Sequence, residues 1–453
     1  MSGKQLSATT LLSQAEQVST LLAQANLQPS EPVHVEIGNR PVDIAAMLGT
    51  WRAGGTVVPV HTSSVPSTRA AITRKTGSRF SIDGTGLQRI AVEPAASRAL
   101  LSRAALVIFT SGTTGSPKGV VIGHDALAGK IEVLKSLLAL RRDDVVAIPL
   151  QLNFIFGLWV CLLSLESGAD VGLIPKFSAE LTGRWLDGGA TVLAAVPTML
   201  RTMLAYTPPV ASQLRMILAG GEVMPPVLNA RISTIWPRAG IYDLYGSTET
   251  GSCDFCLDRA SQILGRGSIG VPTRDVTFRI RKVDGKLASH GEAGELEISS
   301  PYGMLGYLDD PELTNDSFHQ GYFRTGDLAR MRDDGRTEIV GRSKELISRG
   351  GNKISPLEVD NLLSSHPGVA VALCAGVPDE RLGETIHAMV VLNRGASLTE
   401  ADLLQWASGK IERFKLPEKI LFCDALPVGN TGKASRPAAR QLILTQKINS
   451  TCQ

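Results

Sequence analysis

The chain has 453 residues, of which 43% are hydrophobic and 20% are charged. These proportions are typical of a soluble globular protein with a large core, and the length predicts two or three domains. A net charge of +3 without any dense basic run excludes the strongly basic class of nucleic-acid-binding proteins.

Neither a membrane span nor a disulfide framework is expected. The longest apolar run, residues 154–165, stops at Glu166 and is too short to cross a bilayer. Residues 1–17 lack the charged-then-apolar pattern of a signal peptide. Six cysteines in so long a chain do not indicate disulfides, and the pair Cys253 and Cys256 lacks the second ligand pair that a zinc site needs. We therefore expect a cytoplasmic protein with reduced thiols.

Short apolar strands alternate with helical segments up to about residue 265. Helical spacing of apolar residues predicts a first helix from Leu11 to Ala25, with Ser7 among the candidate caps. Such alternation predicts a parallel sheet covered on both faces, with ligands bound beyond the carboxyl ends of its strands. Strands are predicted at residues 33–37, 56–60, 105–109, 145–149, 171–174, 192–195, 216–219 and 241–245, and helices at 42–53, from 154, at 198–205 and at 227–236.

A glycine- and hydroxyl-rich run, TSGTTGSPKG at residues 110–119, follows one of these strands. Glycines let backbone N–H groups approach a ligand, and Lys118 adds a positive charge, so the run predicts a cradle for a polyphosphate. The commoner phosphate loop has Gly before its Lys and Ser or Thr after it, whereas Lys118 lies between Pro117 and Gly119. The alternative is a flexible linker, but a linker does not need a preceding buried strand.

Four further polar segments carry candidate ligand-binding groups. Tyr245 can stack on a purine, Thr248 can donate to a phosphate, and Glu249 can hold Mg2+ through oxygen. Asp327 could accept hydrogen bonds from ribose hydroxyls, whereas a lone loop lysine such as Lys433 is usually just solvated. Each signal is weak alone; the segments are YGSTET at 245–250, RTGDL at 324–328, GRSKELISRGG at 341–351 and NTGKASRP at 430–437.

The pattern of elements changes in the last part of the chain. Strands predicted at 276–283 and 295–298, with a turn at 284–286, indicate a β-rich subdomain from about residue 265. A helix at 356–364, strands at 370–377 and 386–392 and a helix at 398–411 then predict a small α+β domain. The expected division is therefore residues 1–341 and 342–453.

The order and spacing of these motifs resemble the acyl-adenylate-forming (AMP-binding) enzymes, in their acyl- and aryl-CoA ligase branch. The resemblance covers nearly the whole chain and includes WRAGGTVVPVH at 51–61 and the segment 306–328. It implies an α/β fold in which a large N-terminal domain of doubly wound sheets, with a β-rich subdomain, precedes a small mobile α+β domain. It also implies ATP, Mg2+ and coenzyme A, or the phosphopantetheine of a carrier protein.

The resemblance further implies a role for each motif residue. Catalysis would fall to Lys433, Thr248, Glu249 and Lys118, and Glu249 would also hold Mg2+. Lys344 would be the hinge of the small domain, and the CoA channel would include Ser348, Gly350 and Gly351. The implied ATP-binding residues are Thr110, Ser111, Gly112, Thr113, Thr114, Gly115, Lys118, Gly220, Gly221, Glu222, Asp243, Leu244, Tyr245, Gly246, Ser247, Thr248, Asp327, Arg342 and Lys433.

The acid pocket is implied at Asn153, Phe154, Gly220 and Tyr245. Asn153 cannot supply the negative charge that pairs with the ammonium group of an amino acid. An aromatic, benzoate-like acid or an aliphatic acid of modest size is therefore expected. Asn153 could equally well be the N-cap of the helix that follows it.

Three functions remain open to the sequence. The first is an acid–CoA ligase that forms an acyl-adenylate and then a thioester, which GVPDERLGE at 376–384 favours by its resemblance to CoA ligases. The second is a stand-alone adenylating enzyme that loads a carrier protein. The third is a non-catalytic nucleotide-binding protein. This hypothesis predicts that Lys433, Glu249 or Asp327 has been lost, but all three are present. The acid and the pathway stay unspecified, and a homodimer stays compatible with the sequence.

Overall fold

The computed structural model of the chain describes residues 5–84, 86–90, 98–110, 117–205, 208–429 and 433–451. Helices and strands alternate through its first part, as the sequence predicts. In chain order they are α1 Ala8–Gln24, β1 Pro32–Ile37, α2 Pro41–Arg52, β2 Thr56–His61, α3 Pro66–Thr76, β3 Phe80–Asp83, β4 Gly86–Arg89, β5 Ala104–Thr110, β6 Lys118–Gly123, α4 His124–Leu138, β7 Val145–Ile148, α5 Ile155–Glu166, β8 Asp170–Leu173, α6 Ala179–Asp187, β9 Val192–Ala195, α7 Pro197–Ala205, β10 Met216–Gly220, α8 Pro226–Ile235 and β11 Gly240–Tyr245.

Strands dominate the middle of the chain, and a smaller α+β unit follows. These elements are β12 Phe255–Leu257, β13 Val271–Pro272, β14 Thr277–Arg281, β15 Ala293–Ser299, β16 Gly306–Tyr307, α9 Pro311–Asp316, β17 Phe318–His319, β18 Tyr322–Met331, β19 Thr337–Arg342, β20 Ile347–Arg349, β21 Asn352–Ile354, α10 Pro356–Ser364, β22 Val369–Asp379, β23 Gly383–Leu392, α11 Glu400–Ala407, β24 Lys419–Phe422 and α12 Arg436–Thr451. Single 3-10 turns cover Ala99–Leu101, Ser343–Glu345 and Arg413–Lys415.

Within the described residues the strands form four sheets. The first has the order β16-β6-β5-β2-β1-β3-β4 and the second β13-β12-β11-β10-β9-β7-β8. Their central strands are parallel, whereas β6, β12 and β13 are antiparallel additions at one side. The third sheet, β14-β15-β18-β17 with β19 beside β18, is antiparallel. The fourth has the order β21-β20-β23-β22, with β24 beside β23.

Each part of the chain has its own apolar core. One cluster joins the helices and strands of the first two sheets, and it includes Trp159, which is fully buried. The third sheet packs around Phe255 and Leu296, and the fourth around Ile386 and Leu403. The division at residue 341 stays a prediction. None of the described helices has both the length and the apolarity that crossing a membrane requires.

Candidate active site

Two neighbouring parallel strands end at the centre of the site. β10 ends at Gly220 and β11 at Tyr245, and in their register Gly220 lies opposite Leu244. A Cβ atom added at Gly220 would lie 2.7 Å from the carbonyl oxygen of Leu244, so only glycine permits this approach. The segments 220–222 and 245–250 therefore emerge side by side from the carboxyl edge of the sheet, where α/β proteins bind ligands.

Tyr245, Asp327 and Arg342 meet at this edge although they are distant in sequence. The Tyr245 hydroxyl donates to Asp327 Oδ2 at 2.6 Å, and Arg342 Nε donates to Asp327 Oδ1 at 2.6 Å. Burial raises the pKa of Tyr245 well above its ordinary value, with the Asp327 charge acting in the same direction. The phenol therefore stays protonated and keeps donating. These residues, assigned to adenine and ribose by resemblance, form one cluster.

Asp243 precedes this cluster by two residues and is buried on β11. Burial alone raises the pKa of its carboxyl to about 8. The group is thus largely neutral at pH 7 and can donate as well as accept a hydrogen bond.

The turn of residues 247–250 leaves Thr248 and Glu249 partly exposed beside this cluster. Ser247 and Thr250 bond to each other across it, with Ser247 Oγ and Thr250 Oγ1 3.1 Å apart. Glu249 Oε1 accepts a hydrogen bond from Tyr307 Oη at 3.1 Å. A Cβ at Gly246 would lie 2.5 Å from the backbone nitrogen of Cys253, so the turn is pressed against the chain beneath it.

The predicted phosphate cradle begins and ends in the hairpin of β5 and β6. Thr110 and Lys118 face each other as the last pair of its antiparallel ladder. Lys118 Nζ lies 5.4 Å from the ring centroid of Tyr307, which joins it to the group that contacts Glu249. The remaining cradle residues of the ATP-binding prediction lie outside the described residues; they are Ser111, Gly112, Thr113, Thr114 and Gly115.

Lys433 reaches this edge from the C-terminal part of the chain. A Cβ atom at Gly221 would lie 3.0 Å from both Cε and Nζ of Lys433. Burial lowers the pKa of Lys433, and the nearby charge of Glu222 opposes that effect. Glu222 itself is held by protein groups: it accepts from the Thr198 backbone N–H and from that of Ala434, both at 2.9 Å.

Asn153 is not the helix N-cap. Phe154 occupies that position of α5, without a side-chain cap bond. Asn153 Oδ1 is buried and has no hydrogen-bond partner among the described residues. Phe156 is the second residue of α5, and its ring would lie 3.4 Å from a Cβ at Gly220, so the start of this helix adjoins the site.

The chain matches one family of known proteins along most of its length. Residues 1–102 and 90–308 match the family model of the AMP-binding enzymes, and residues 358–433 match that of the AMP-binding enzyme C-terminal domain. The chain belongs to the AMP-binding enzyme family.

Individual relatives of this AMP-binding enzyme are CoA ligases. Indoleacetate–CoA ligase of Aromatoleum aromaticum is 34% identical, over 75% of this chain and 67% of its own length. Feruloyl-CoA synthase of Amycolatopsis is 30% identical, over 93% and 90%. The crystal structure of ATP-bound MatB from Rhodopseudomonas palustris is 27% identical, with a TM-score of 0.83, and covers 97% of this chain and 94% of that one. The chain is therefore an AMP-forming acid–thiol ligase of the acyl- and aryl-CoA ligase branch.

The residues predicted as the hinge and the CoA channel follow Arg342 closely in the chain. Lys344 is exposed in the 3-10 turn Ser343–Glu345. Ser348 lies in β20, where its backbone N–H donates to Glu384 Oε2 at 2.9 Å. Gly350 and Gly351 form the following turn with φ of +54° and +83°, which glycine adopts without strain.

Sequence reasoning missed some residues of the site. Tyr307 lies in the segment 306–328 that carries the resemblance, yet nothing in its local pattern assigns it to Glu249. Asn39, between β1 and α2, accepts from Leu152 N–H at 3.0 Å and donates to the Leu150 carbonyl at 2.7 Å, and so supports the loop of Asn153. Contacts of this kind join residues more than fifty positions apart, so no sequence window contains both partners.

The C-x-x-C pair is buried beneath the site. Cys253 and Cys256 are free thiols. Burial raises the pKa of Cys253 to about 12, so it stays a neutral thiol at physiological pH. Among the described residues, no group of three His, Cys, Asp or Glu side chains is arranged to hold a metal ion.

Proposed function

We propose that this ligase activates a small aromatic acid, or an aliphatic acid of modest size, and transfers the acyl group to coenzyme A. The observation that carries the proposal is the position of Lys433. Its side chain lies against Gly221, at the edge where Tyr245, Thr248 and Glu249 converge. The roles that follow are assigned on that geometry.

In the first half-reaction a carboxylate oxygen of the acid attacks the α-phosphorus of ATP. A new O–P bond forms, the bond to the β-phosphate breaks, and pyrophosphate leaves. Both reactants are anionic, so Lys433 would offset their repulsion between the carboxylate and the α-phosphate. Thr248 would donate to the α-phosphate, while Lys118 with the loop from Thr110 would hold the leaving pyrophosphate.

Glu249 is suited to a Mg2+ ion. Tyr307 engages its Oε1, and a second carboxylate oxygen remains for a metal. Mg2+ in nucleotide sites is usually held by one or two carboxylates together with phosphate oxygens and water, so an all-protein cluster is not required. When bound, the ion would neutralise phosphate charge.

Ion pairs on either side of Lys344 support its role as the hinge. Before it, Arg342 pairs with Asp327 of the third sheet at 2.6 Å. After it, Glu345 pairs with Arg436 of the C-terminal unit at 2.8 Å. Rotation between these anchors would withdraw Lys433 and bring Ser348, Gly350 and Gly351 to the acyl-adenylate. The CoA thiol would then attack the carbonyl, and AMP would leave.

Uncharged side chains line the proposed acid pocket. Asn153 Oδ1 lacks a partner, and a buried oxygen of this kind favours an acid whose ring carries a hydroxyl or N–H donor. Phe156 adds aromatic surface close to Gly220, and its ring packs against the buried Trp159, with ring centroids 5.4 Å apart. The relatives named for indoleacetate and ferulate act on aromatic acids, which agrees with this pocket.

A pyrophosphate-release screen over aryl, fatty and amino acids, with and without CoA, tests the proposal. We expect release with hydroxylated or N–H-bearing aryl acids, and thioester only when CoA is present. Asn153→Leu should lower kcat/KM for such an acid by roughly tenfold, because a hydrogen bond is lost, and should affect unsubstituted benzoate much less. Activity with amino acids alone would contradict the substrate assignment.

The alternative acceptor is a carrier protein. Free CoA and a phosphopantetheinylated carrier present the same thiol, so a direct comparison of the two as acceptors decides between them. Transfer to the carrier without transfer to free CoA would favour the stand-alone adenylating enzyme.

A further inference from the structure

A lysine is enclosed beneath the turn that carries Thr248 and Glu249. Lys130, on α4, is 1% exposed, and its Nζ lies 3.4 Å from Asp254 Oδ1 and 3.3 Å from the Cys253 carbonyl oxygen. The ring centroid of Tyr302 lies 5.1 Å from the same Nζ. Lysines are almost never buried to this degree unless they are paired, and Asp254 is the carboxylate that pairs with Lys130.

Asp254 in turn holds the turn through Thr250. Thr250 Oγ1 donates to Asp254 Oδ2, and the backbone N–H of Ser247 donates to Thr250 Oγ1 at 3.2 Å. Ser247 and Thr250 flank Thr248 and Glu249. One fully buried carboxylate therefore fixes the part of the backbone from which these two side chains project.

We propose that Lys130 is a positioning residue for the nucleotide and metal site, acting through Asp254 on the turn of Thr248 and Glu249. Its ammonium group compensates the buried charge of Asp254, so that this carboxylate can accept the Thr250 hydrogen bond on which the turn depends. The inference rests on the proposed function, because it takes Glu249 as the Mg2+ ligand.

The reason lies in the cost of an isolated buried charge. Removing one partner of a buried ion pair leaves the other uncompensated, whereas replacing both with neutral groups is often tolerated. Burial raises the pKa of Asp254, and Lys130 opposes that rise. Without Lys130 the carboxylate would take up a proton or water, and either change would disturb its bond to Thr250 and, through Thr250, the contact with Ser247.

The test compares Lys130→Met, Asp254→Asn and the double variant with the parent chain. Isothermal titration calorimetry measures the affinity for Mg2+·ATP and, without metal, for AMP. We expect Lys130→Met to weaken Mg2+·ATP by roughly tenfold or more and AMP to a clearly smaller extent, since AMP would contact Thr248 of this turn but would not use Glu249. The double variant should recover most of the lost affinity, because the Asn amide oxygen still accepts from Thr250.

Lys135→Met is the matched control, since Lys135 lies on the same helix but is half exposed and pairs with Glu166 at the surface. It should leave both affinities unchanged. Equal weakening of AMP and Mg2+·ATP by Lys130→Met, or a double variant no better than Lys130→Met, would overturn the inference in favour of a purely structural pair. Should Lys130→Met fail to fold, the double variant is compared with Asp254→Asn. Equal Mg2+·ATP affinity in those two variants would count against the positioning role of Lys130. A parent chain that binds AMP but no Mg2+·ATP would overturn the proposed function itself.

Discussion

Burial sets the charge of individual side chains around the proposed nucleotide site. It raises the pKa of Asp243 to about 8 and lowers that of Lys433, whose cationic form Glu222 favours. Both shifts favour the uncharged form of the side chain, but at Lys433 the nearby Glu222 anion opposes the effect of burial. A difference between the folded and the unfolded pKa makes stability depend on pH.

Asp243→Asn should change that dependence. The unfolded carboxyl has a pKa of about 3.9, so between about pH 4 and pH 8 the folded chain binds more protons than the unfolded chain, and stability falls as pH rises. A neutral amide does not titrate, so the variant avoids this loss of folding stability, which for the carboxyl is about 1 kcal/mol or more per pH unit. We expect thermal midpoints that are similar near pH 4, with the variant increasingly more stable towards pH 8.

The exposed Asp333→Asn serves as the control and should leave the pH profile as in the parent. The thermal midpoints are measured against pH by differential scanning calorimetry without ligand. Parallel pH profiles for Asp243→Asn and the parent would contradict the conclusion that the Asp243 carboxyl is neutral.

At the level of elements, the turn after β10 joins three parts of the chain. Glu222 accepts from Thr198 at the start of α7 and from Ala434, the residue after Lys433. The turn thus holds the Lys433 segment by a backbone hydrogen bond as well as by charge. By resemblance Glu222 is an ATP-binding residue; its contacts in the structure are with the protein.

Glu222→Gln should slow adenylation. The amide keeps one acceptor but presents a donor to the other partner, and the charge beside Lys433 is lost. Hydrogen bonds to charged groups contribute about 1.5–3 kcal/mol, so we expect the rate of ATP–pyrophosphate exchange to fall roughly tenfold or more. Thioester formation from a supplied acyl-adenylate should fall much less.

Glu180→Gln, which removes an exposed surface pair with Arg184, is the control and should change neither rate. Equal losses in both half-reactions of Glu222→Gln would argue that the residue contacts ATP and does not dock the Lys433 segment.

At the scale of the whole molecule, few hydrogen bonds among the described residues hold the C-terminal unit in its present orientation. Besides the Glu222 contact, Arg231 Nη1 donates to Asn393 Oδ1 at 3.2 Å. The ion pairs of Arg342 and Glu345 anchor the chain on both sides of Lys344. Such an arrangement is suited to a hinge, because each anchor can stay intact while the turn between them rotates.

Lys344→Pro and Lys433→Ala should have reciprocal effects. A proline restricts the backbone at the turn, so we expect adenylation to persist and thioester formation to fall by at least tenfold. Lys433→Ala should abolish adenylation and largely spare thioester formation from a supplied acyl-adenylate. Single-turnover assays measure each half-reaction separately. Unchanged thioester formation in Lys344→Pro would rule out the hinge role of Lys344. Equal loss of both steps in Lys433→Ala would rule out the role assigned to Lys433.

Much of the fold could be predicted because its signals are local. The strand predicted at 192–195 and the helix at 356–364 coincide with β9 and α10, and Ser7 does cap α1. The helix predicted at 398–411 is shorter, as α11, because Thr399 and Asp402 form a capping box at its start and Gly409, at φ +82°, turns the chain after its end. The strand β6 was not predicted, since its short apolar run follows directly on the glycine-rich loop. It pairs with β5 across that loop and with β16, which lies far along the chain.

The sequence by itself determined the family, the order of the motifs and the alternation of strands and helices. Those properties depend on residue type and spacing, which are present before the chain folds. The tertiary structure decided that Lys433 lies against Gly221, that Glu222 binds Ala434, and that Lys130 pairs with Asp254 beneath Glu249. Each of these contacts joins residues more than a hundred positions apart, and their energies depend on burial and distance, which only packing creates.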